Sequence, residues 1–543
     1  MGENPSHKRS GVFHNLLKDQ VIGIRTAAQQ TRQVTLPELL ALMMADEVES
    51  LSALRPHQKQ ALHCFLAQIG AMALLAAGVT EPPHDADQWA ELLRGLTPRS
   101  ENDEPWCLVV DDWEKPAFMQ APVPVSSTLD FSKDIRTADE FDLLVTSRNH
   151  DVKAKRMQES RLEHWTFSLI TNQTFQGGNS GSYRGISRMN GDYGSRPFVG
   201  VGASPNSFGL HLRRDIRILV KTWDERSANS ELHAAEGGMR LLWLEPWDGI
   251  EALETKQLHP YYVELCRRVR LVRHNSALSA KTATNKLRIN QPKGKHQSKD
   301  FTLPTGDPWT PVEKDSGKPL TLDASGFHYR RVVNLLDPGK FNPAPLQMLF
   351  DADGRGGAQI IFAAIVRGQG ETQGYHERRI HVPERLKPAF MRKSALGDVP
   401  SDLARVARDR VDDVAKVASK ALRPALFALY QAAPEKLDFQ DPKAKTKAQI
   451  FLDQFDRAVD EDFFERLFKE VDEQAGSDPA KACRKEWIEN CLWARARDAL
   501  AAAETGSPLS SVRRYRARAA AEGLLDGAIV NAFPDLLKWK PAA

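Results

Sequence analysis

Hydrophobic and polar positions change rhythm along this chain, and the changes divide it. Near the N-terminus the spacing is helical. Thr35-Leu36-Pro37-Glu38 has the S/T-x-x-E form of a capping box, and Leu39, Leu40, Leu42, Met43 and Val48 follow at helical intervals. A second helix is predicted from just after Pro56 to Gly78, where glycine suits the exit. It is apolar around most of its circumference and so belongs at the centre of its domain, with Met43, Met44 and Met72 as core fillers.

Strand-like runs dominate the middle. Cys107–Val110 and Phe141–Val145 are short and apolar, and the segments from Phe327 to Asp337 and from Gln359 to Arg367 read as longer strands. Leu210–Val220 alternates only in part and reads as a strand or a short helix. Past Val366, the run Gly368-Gln369-Gly370-Glu371-Thr372-Gln373-Gly374 reads as a glycine-bounded turn before a second strand, Tyr375–Ile380, which predicts a β-hairpin whose tip presents Gln373.

After Pro400 long periodic stretches take over. Ser401, Asp441, Asp478 and Ser507 are N-cap candidates, the last three followed by Pro442, Pro479 and Pro508 at the favoured first helical position. Leu403, Ala407, Val411, Val414, Ala418 and Leu422 form one stripe, which Pro424 should end or kink. Phe451, Phe455, Val459, Phe463, Leu467 and Val471 form the next; Trp487, Ile488, Cys491 and Leu492 mark a third helix, and Val512–Arg518 opens a fourth. The arginines of that last run suit a nucleic-acid backbone or a solvated face equally. The pattern predicts an α+β protein: a large mixed α/β N-terminal domain, residues 1–392, followed by a C-terminal four-helix bundle, residues 393–543.

One stretch fits no rhythm. Asn172–Arg196 holds six glycines, three arginines and the rings of Phe175, Tyr183 and Tyr193, and it cannot pack a core. Such a segment is either a surface loop with ordinary turn glycines or a place where backbone N–H groups and arginines approach a partner closely.

Composition narrows the class. A chain of 543 residues, 41% hydrophobic and 27% charged, is long enough for two or three globular domains. Its five cysteines are scattered, with no C-x-x-C pair, so neither a disulfide framework nor a cysteine zinc site is expected, and a reducing cytoplasm fits. The polar N-terminus, MGENPSHKRSGVF, lacks a secretory signal, and Ala61–Gly78, interrupted by His63, Gln68 and Gly70, reads as a buried helix rather than a membrane span.

Net charge is only +3, but its distribution is uneven. Leu265–Lys299 carries ten Lys/Arg and no Asp or Glu, which favours a polyanion partner over a merely solvated surface. Trp243, Trp247, Tyr261 and Tyr262 lie just upstream and read as core or interface packing before stacking platforms.

Catalytic signatures are missing: no G-x-x-x-x-G-K-[ST], H-E-x-x-H or G-x-S-x-G occurs. Asn149-His150 invites comparison with nucleases in which histidine activates water beside a metal, yet no second metal-ligand histidine follows in a compact ββα pattern. The pair Asp111-Asp112 reads as solvated. The balance favours a binding subunit.

The order Pro116-Ala117-Phe118-Met119-Gln120, then Asn172-Gln173 with Gly177-Gly178 and Tyr183-Arg184-Gly185, then Glu377-Arg378-Arg379 on a hairpin and a helical bundle resembles the CasA family. CasA proteins are the large subunit of the type I-E CRISPR surveillance complex, Cascade. The resemblance spans nearly the whole chain in architecture, with close matches only in short stretches. It implies a non-catalytic subunit without cofactor, partnered by guide RNA, the other Cascade subunits, double-stranded target DNA and a separate helicase-nuclease, and not by a membrane. Such a subunit inspects duplex DNA for the protospacer-adjacent motif from the minor groove and promotes strand opening and R-loop formation.

Carried over by position, the family's glycine loop falls on Gly177 and Gly178, with Asn179 and Ser180 in place of further loop residues. In a groove that offers mainly A·T-versus-G·C information, a polar Asn179 would change the accepted motif. The strand-separating glutamine wedge falls on Gln373, one residue closer to Glu377-Arg378-Arg379 than in the family pattern. The lysine finger falls in the basic tract, first on Lys286, then on Lys293 or Lys295. The loop that anchors guide RNA becomes Thr146–Arg156, with Arg148, Asn149, His150, Lys153 and Lys155; Leu144 or Val145 stands where the family has an aromatic ring. Paired cysteines of some members have no counterpart, so no metal is expected. Two further readings stand beside this one: a metal-dependent nuclease built on Asn149 and His150, and a purely structural RNA–protein scaffold.

Overall fold

A computed structural model of the chain describes residues 11–537 apart from 142–159, 178–194, 204–206, 229–230, 275–276, 291–292, 297–298, 303–305, 338, 351–352, 354–356, 369–370, 391–400, 474–478 and 507–510. The chain divides into two compact units. One comprises Met1–Phe327 with Gly339–Ile380, the other His328–Pro338 with His381–Ala543.

The first unit is the mixed one. Helix α1, Leu36–Met44, starts as its capping box predicts: Glu38 N donates to Thr35 Oγ1 at 3.2 Å and Thr35 N to Glu38 Oε2 at 2.7 Å. Helix α2, Lys59–Ala77, ends at Gly78, whose φ of 67° is the left-handed cap that glycine adopts without strain. Its apolar window is long enough to cross a membrane, yet 83% of that window is buried inside the protein. Around it pack α3, Ala86–Arg94, α4, Leu162–Thr174, and α5, Phe208–Lys221. Leu210–Val220 is therefore helix, its arginines on one side and Leu212, Ile216 and Leu219 buried on the other.

Trp89, Trp106, Trp165, Trp243, Trp247, Trp309, Tyr261 and Tyr262 are essentially fully buried in the same unit, so the aromatic quartet upstream of the basic tract is core. Each such side chain contributes roughly 1.5–3 kcal/mol through burial.

Two sheets position the residues of interest. In one, the Arg268–His274 strand pairs antiparallel with Ala277–Ala283 (Leu271 opposite Ala280), which pairs with Lys133–Ile135. In the other, Ala358–Gly368 runs between Phe198–Ala203 (Ile360 opposite Val201) and Glu371–Val382. The last two long strands form a hairpin, but the second begins at Glu371, so Gln373 lies within that strand rather than at the tip of a longer turn.

The second unit is helical. Its first helix, Ser401–Lys416, continues through a widened π turn, Val417–Leu422, into Arg423–Tyr430. Pro424 thus does not end it; the wider turn accommodates a ring that would clash with the carbonyl of an ordinary preceding turn. Pro442–Glu473 follows, started by Asp441, whose Oδ1 accepts from Lys443 N at 2.9 Å. Pro479–Glu486, a second π turn and Ala494–Thr505 make the third helix, and Ser511–Ala532 the fourth. Phe455, Val459, Phe463, Leu467, Ile488, Leu492, Leu525 and Ile529 form their shared core.

The Phe327–Asp337 segment is not a strand. It contains α6, Tyr329–Leu336, which belongs to the helical unit. Tyr329 stacks on Phe463 with centroids 4.6 Å apart and donates from Oη to Asp456 Oδ1 at 2.9 Å, so tertiary anchoring overrides the β preference of Val332-Val333.

Candidate nucleic-acid interface

The glycine stretch begins where α4 ends, and both of its ends are tied down. Gln173, fully buried on α4, uses its whole amide: Nε2 donates to the carbonyls of Met119 (3.1 Å) and Arg267 (2.9 Å), and Oε1 accepts from the N–H groups of Cys266 (2.9 Å) and Arg267 (2.8 Å). Arg267 answers in the other direction. Its guanidinium donates to the carbonyls of Asn172, in the last turn of α4 where carbonyls lack intrahelical donors, and of Gln176 (3.3 Å) and Gly177 (2.5 Å) just beyond the helix.

At the far end, Arg196 N donates to Phe175 O at 3.0 Å and Gly177 N to Ser195 Oγ at 3.4 Å. The Arg196 guanidinium is completely buried, grips Asp307 with two bonds of 2.6 and 2.9 Å, and lies over the rings of Phe175 and Trp309. Burial alone would lower its pKa; the Asp307 carboxylate overcomes this and raises it. Residues 176 and 196 are thereby brought together. Gly177 itself is buried at this base, whereas Gly178, Asn179 and Ser180 lie outside the described residues.

The basic tract splits in two. Arg267, Arg268, Arg270 and Arg288 are buried, each donating to backbone carbonyls: Arg270 to Lys115 and Val110 at 3.0 Å, Arg288 to Pro246 at 3.1 Å, Arg268 to Ser127 at 3.2 Å. Burial lowers the Arg270 pKa to about 9 and that of Arg288 to about 10. These four arginines are internal braces and are not available to a polyanion. The physical reason is that guanidinium, with five donors in a plane, can join several loop carbonyls that no strand satisfies.

Of the remaining cations, exposed Arg273 lies 3.6 Å above the Phe13 ring, and half-buried Lys281 pairs with Asp134. Lys286 is exposed at the rim of an open groove of about 710 Å³ lined also by Asp130, Asp248, Arg268 and Leu287. Its backbone is held on both sides: Lys286 N donates to Gly249 O at 2.8 Å, and Asn285 Nδ2 donates to Lys286 O (2.8 Å) and to Cys266 O (3.0 Å). Lys293 and Lys295 stand on a separate two-stranded ribbon, opposite Thr302 and Asp300.

Gln373 lies exposed in the Glu371–Val382 strand, with Gly374 beside it at φ 119°. The residues after it are locked. Tyr375 Oη donates to Glu377 Oε2 at 2.7 Å and bonds Gln60, Arg379 Nε donates to Glu377 Oε1 at 2.7 Å, and Arg378 donates to Phe327 O at 3.0 Å. Burial would raise the Glu377 pKa, but its bonds to Tyr375 and Arg379 lower it. The hairpin base is fixed to the start of α2, and Gln373 is the free side chain above it.

Arg148, Asn149, His150, Lys153 and Lys155 lie outside the described residues. The segment that carries them is bracketed by Ala138 N, which donates to Ser160 Oγ at 2.8 Å.

Among the described residues, His63, His211 and Asp215 form a buried group with metal-ligand spacing, the donor atoms within 4.8 Å of one another. The carboxylate is already engaged. Asp215 Oδ2 accepts from Trp309 Nε1 at 3.0 Å and lies 2.9 Å from His63 Nε2, and Oδ1 accepts from Arg214 at 2.9 Å. A guanidinium this close disfavours a second cation, so the chemistry is that of a hydrogen-bonded knot. Burial lowers the His211 pKa well below 6.5, and Asp215, which burial would raise, is held at about 2 chiefly by the two histidines and Arg214.

Sequence reading singled out Gln173 only as part of a motif and counted Arg267 as one more surface cation. It counted Arg196 among the arginines of the glycine stretch that could approach a partner, whereas the side chain is fully buried on Asp307, and it assigned no role to Asp307 or Asn285. Nothing in local pattern marks an arginine that faces inward, because its acceptors are carbonyls scattered along the chain.

Comparison with known proteins agrees with the fold. The family described as CRISPR-associated protein Cse1 matches residues 15–499. No curated protein sequence matches significantly. Among solved structures, CasA of Thermus thermophilus is similar with a TM-score of 0.64 at 13% identity, covering 96% of this chain and 100% of that one. Cse1 of Thermobifida fusca gives 0.63 at 15% identity, with 96% and 98% covered. A chain from a CRISPR RNA-guided surveillance complex gives 0.56 at 12%, with 95% and 100% covered. CasA and Cse1 are two names for one Thermus thermophilus protein. The chain belongs to the CRISPR-associated Cse1 family.

Proposed function

We propose that this protein is the non-catalytic large subunit of a type I-E Cascade complex, working in the cytoplasm with guide RNA and the other subunits. It reads the protospacer-adjacent motif of duplex DNA from the minor groove, promotes strand opening and R-loop formation, and helps recruit a separate helicase-nuclease. Gly178, Asn179 and Ser180 read the motif from the buried base at Gly177, whose N–H and carbonyl are already bonded to Ser195 and Arg267; Lys286, with Lys293 and Lys295, meets the DNA backbone, and Gln373 enters the duplex. The loop with Arg148, Asn149, His150, Lys153 and Lys155 holds the guide RNA.

Family membership supports the assembly, and the similar fold of a chain from an RNA-guided surveillance complex agrees with it. One local observation carries the wedge: Gln373 is exposed while Tyr375, Glu377 and Arg379 behind it are bonded to one another. A side chain that separates bases must be backed rigidly, because unstacking costs a few kcal/mol per step before guide pairing repays it.

The test is Gln373→Ala in the assembled complex. Binding to a duplex target should fall by at least about tenfold, the equivalent of 1.4 kcal/mol, while binding to the same target with a pre-opened bubble stays close to wild type. Equal loss on both targets would remove Gln373 from strand separation.

A further inference from the structure

Two of the proposed DNA-reading elements are built on the same dipeptide. The backbone of Cys266-Arg267 offers its N–H groups to Gln173 Oε1, its Arg267 carbonyl to Gln173 Nε2 and its Cys266 carbonyl to Asn285 Nδ2. Gln173 belongs to the helix that delivers the glycine stretch. Asn285 immediately precedes Lys286 and also holds that lysine's carbonyl. From the same dipeptide, the Arg267 side chain spans the carbonyls of Asn172, Gln176 and Gly177. Gln173 and Arg267 are buried, and two of the three acceptors of Arg267, the carbonyls of Gln176 and Gly177, immediately precede residue 178.

We propose that Arg267, with Gln173 and Asn285, is a positioning residue that sets Gln176-Gly177, from which the glycine stretch departs, and Lys286 in fixed register to one another, so that motif reading depends on a side chain buried away from DNA. The inference rests on the reading of Gly178 and Lys286 as DNA contacts. The physical basis is geometric. A guanidinium joins three carbonyls at fixed angles through its planar fork, whereas an ammonium of similar charge is a point donor on a flexible stem. Neutralising Arg267 is thus less informative than Arg267→Lys, which keeps the charge and the bulk of the stem and loses the fork. Asn285→Asp acts from the other side: a carboxylate cannot donate to the Cys266 and Lys286 carbonyls and is repelled by both.

The experiment uses the complete complex carrying Arg267→Lys, Asn285→Asp, Lys286→Ala or Gly178→Asp. Incorporation and melting temperature are measured first. Affinity is then measured for duplex and bubble targets, and the preferred motif is taken from a randomised-motif binding selection. Arg267→Lys and Asn285→Asp should each lower duplex affinity about tenfold relative to bubble affinity and broaden the selected motif, as a lost buried hydrogen bond at a reading element would. If Lys286→Ala and Gly178→Asp are defective while Arg267→Lys and Asn285→Asp keep the wild-type duplex-to-bubble ratio and motif, the positioning role is overturned, even where melting temperature drops. If Lys286→Ala and Gly178→Asp both bind as wild type, it is the underlying reading of these residues as DNA contacts that fails.

Discussion

Arginines carry more of this protein's internal structure than their usual place on the surface would lead one to expect. Arg196 is the extreme case, fully buried on Asp307 between two aromatic rings. Removing one partner of such a pair strands the other charge in the interior, at a cost of about 3–5 kcal/mol. Arg196→Met should lower stability by that amount in urea unfolding, and a change under about 1 kcal/mol would show that the pair is dispensable. The His211 imidazole gives a pH dependence. Burial, then His63, lowers its pKa well below 6.5, with Arg214 and Lys59 adding to the effect and Asp215 opposing it. Below 6.5 the unfolded chain therefore takes up a proton that the folded chain refuses. Stability from this group is complete above that pH and declines below it, by up to about 1.4 kcal/mol per pH unit. Urea midpoints of the wild type should fall between about pH 7.5 and pH 5.5, and His211→Gln should flatten that slope; an unaltered slope would assign the dependence to other groups.

At the level of elements, α1 and α5 show how a close crossing is made. A Cβ on Gly209, in the first turn of α5, would come 2.5 Å from the Met43 carbonyl, and Arg213 one turn later donates to Met44 O at 2.8 Å, satisfying the C-terminus of α1. Gly209→Ala forces these backbones apart, and a loss of about 1–3 kcal/mol in chemical denaturation is expected. Gly78→Ala makes a useful contrast, since no atom lies within 4 Å of its Cβ position and only the positive φ resists the change. The same scale shows what pattern could and could not reveal. The capping box at Thr35, the buried α2 and the hairpin after Ala358 were legible because each is written in contiguous residues. Tyr329–Leu336 was not, because valines that favour strands are overruled by Asp456 and Phe463, more than a hundred residues away.

For the whole molecule, a net charge of +3 conceals a division of labour among cations. In the Leu265–Lys299 tract the buried arginines brace loops, while Lys286 stands exposed at the groove. On the fourth helix of the helical unit, Arg514 and Arg518 pair with Glu504, while Arg513, Arg516 and Tyr515 are exposed. Only cations that meet phosphates release counterions, so neutralising Lys286, Lys293 and Lys295 in the assembled complex should make the slope of log K against log salt shallower by up to about 0.9 per lysine. Arg270→Met should leave it unchanged; a shift there equal to that of a lysine would place the buried arginine in the DNA path.

By itself the sequence determined the capping box and buried helix near the N-terminus, the change to long helices after Pro400 and the presence of a glycine-rich stretch, because these depend on near-neighbour periodicity and composition. Only the tertiary structure decided which cations face inward, how the ends of the glycine stretch are closed and that Gln173, Arg267 and Asn285 meet at one dipeptide. The contacts of Gln173 and Arg267 join residues 90 to 94 positions apart through backbone carbonyls, which every residue type carries, and so they leave no mark in local sequence.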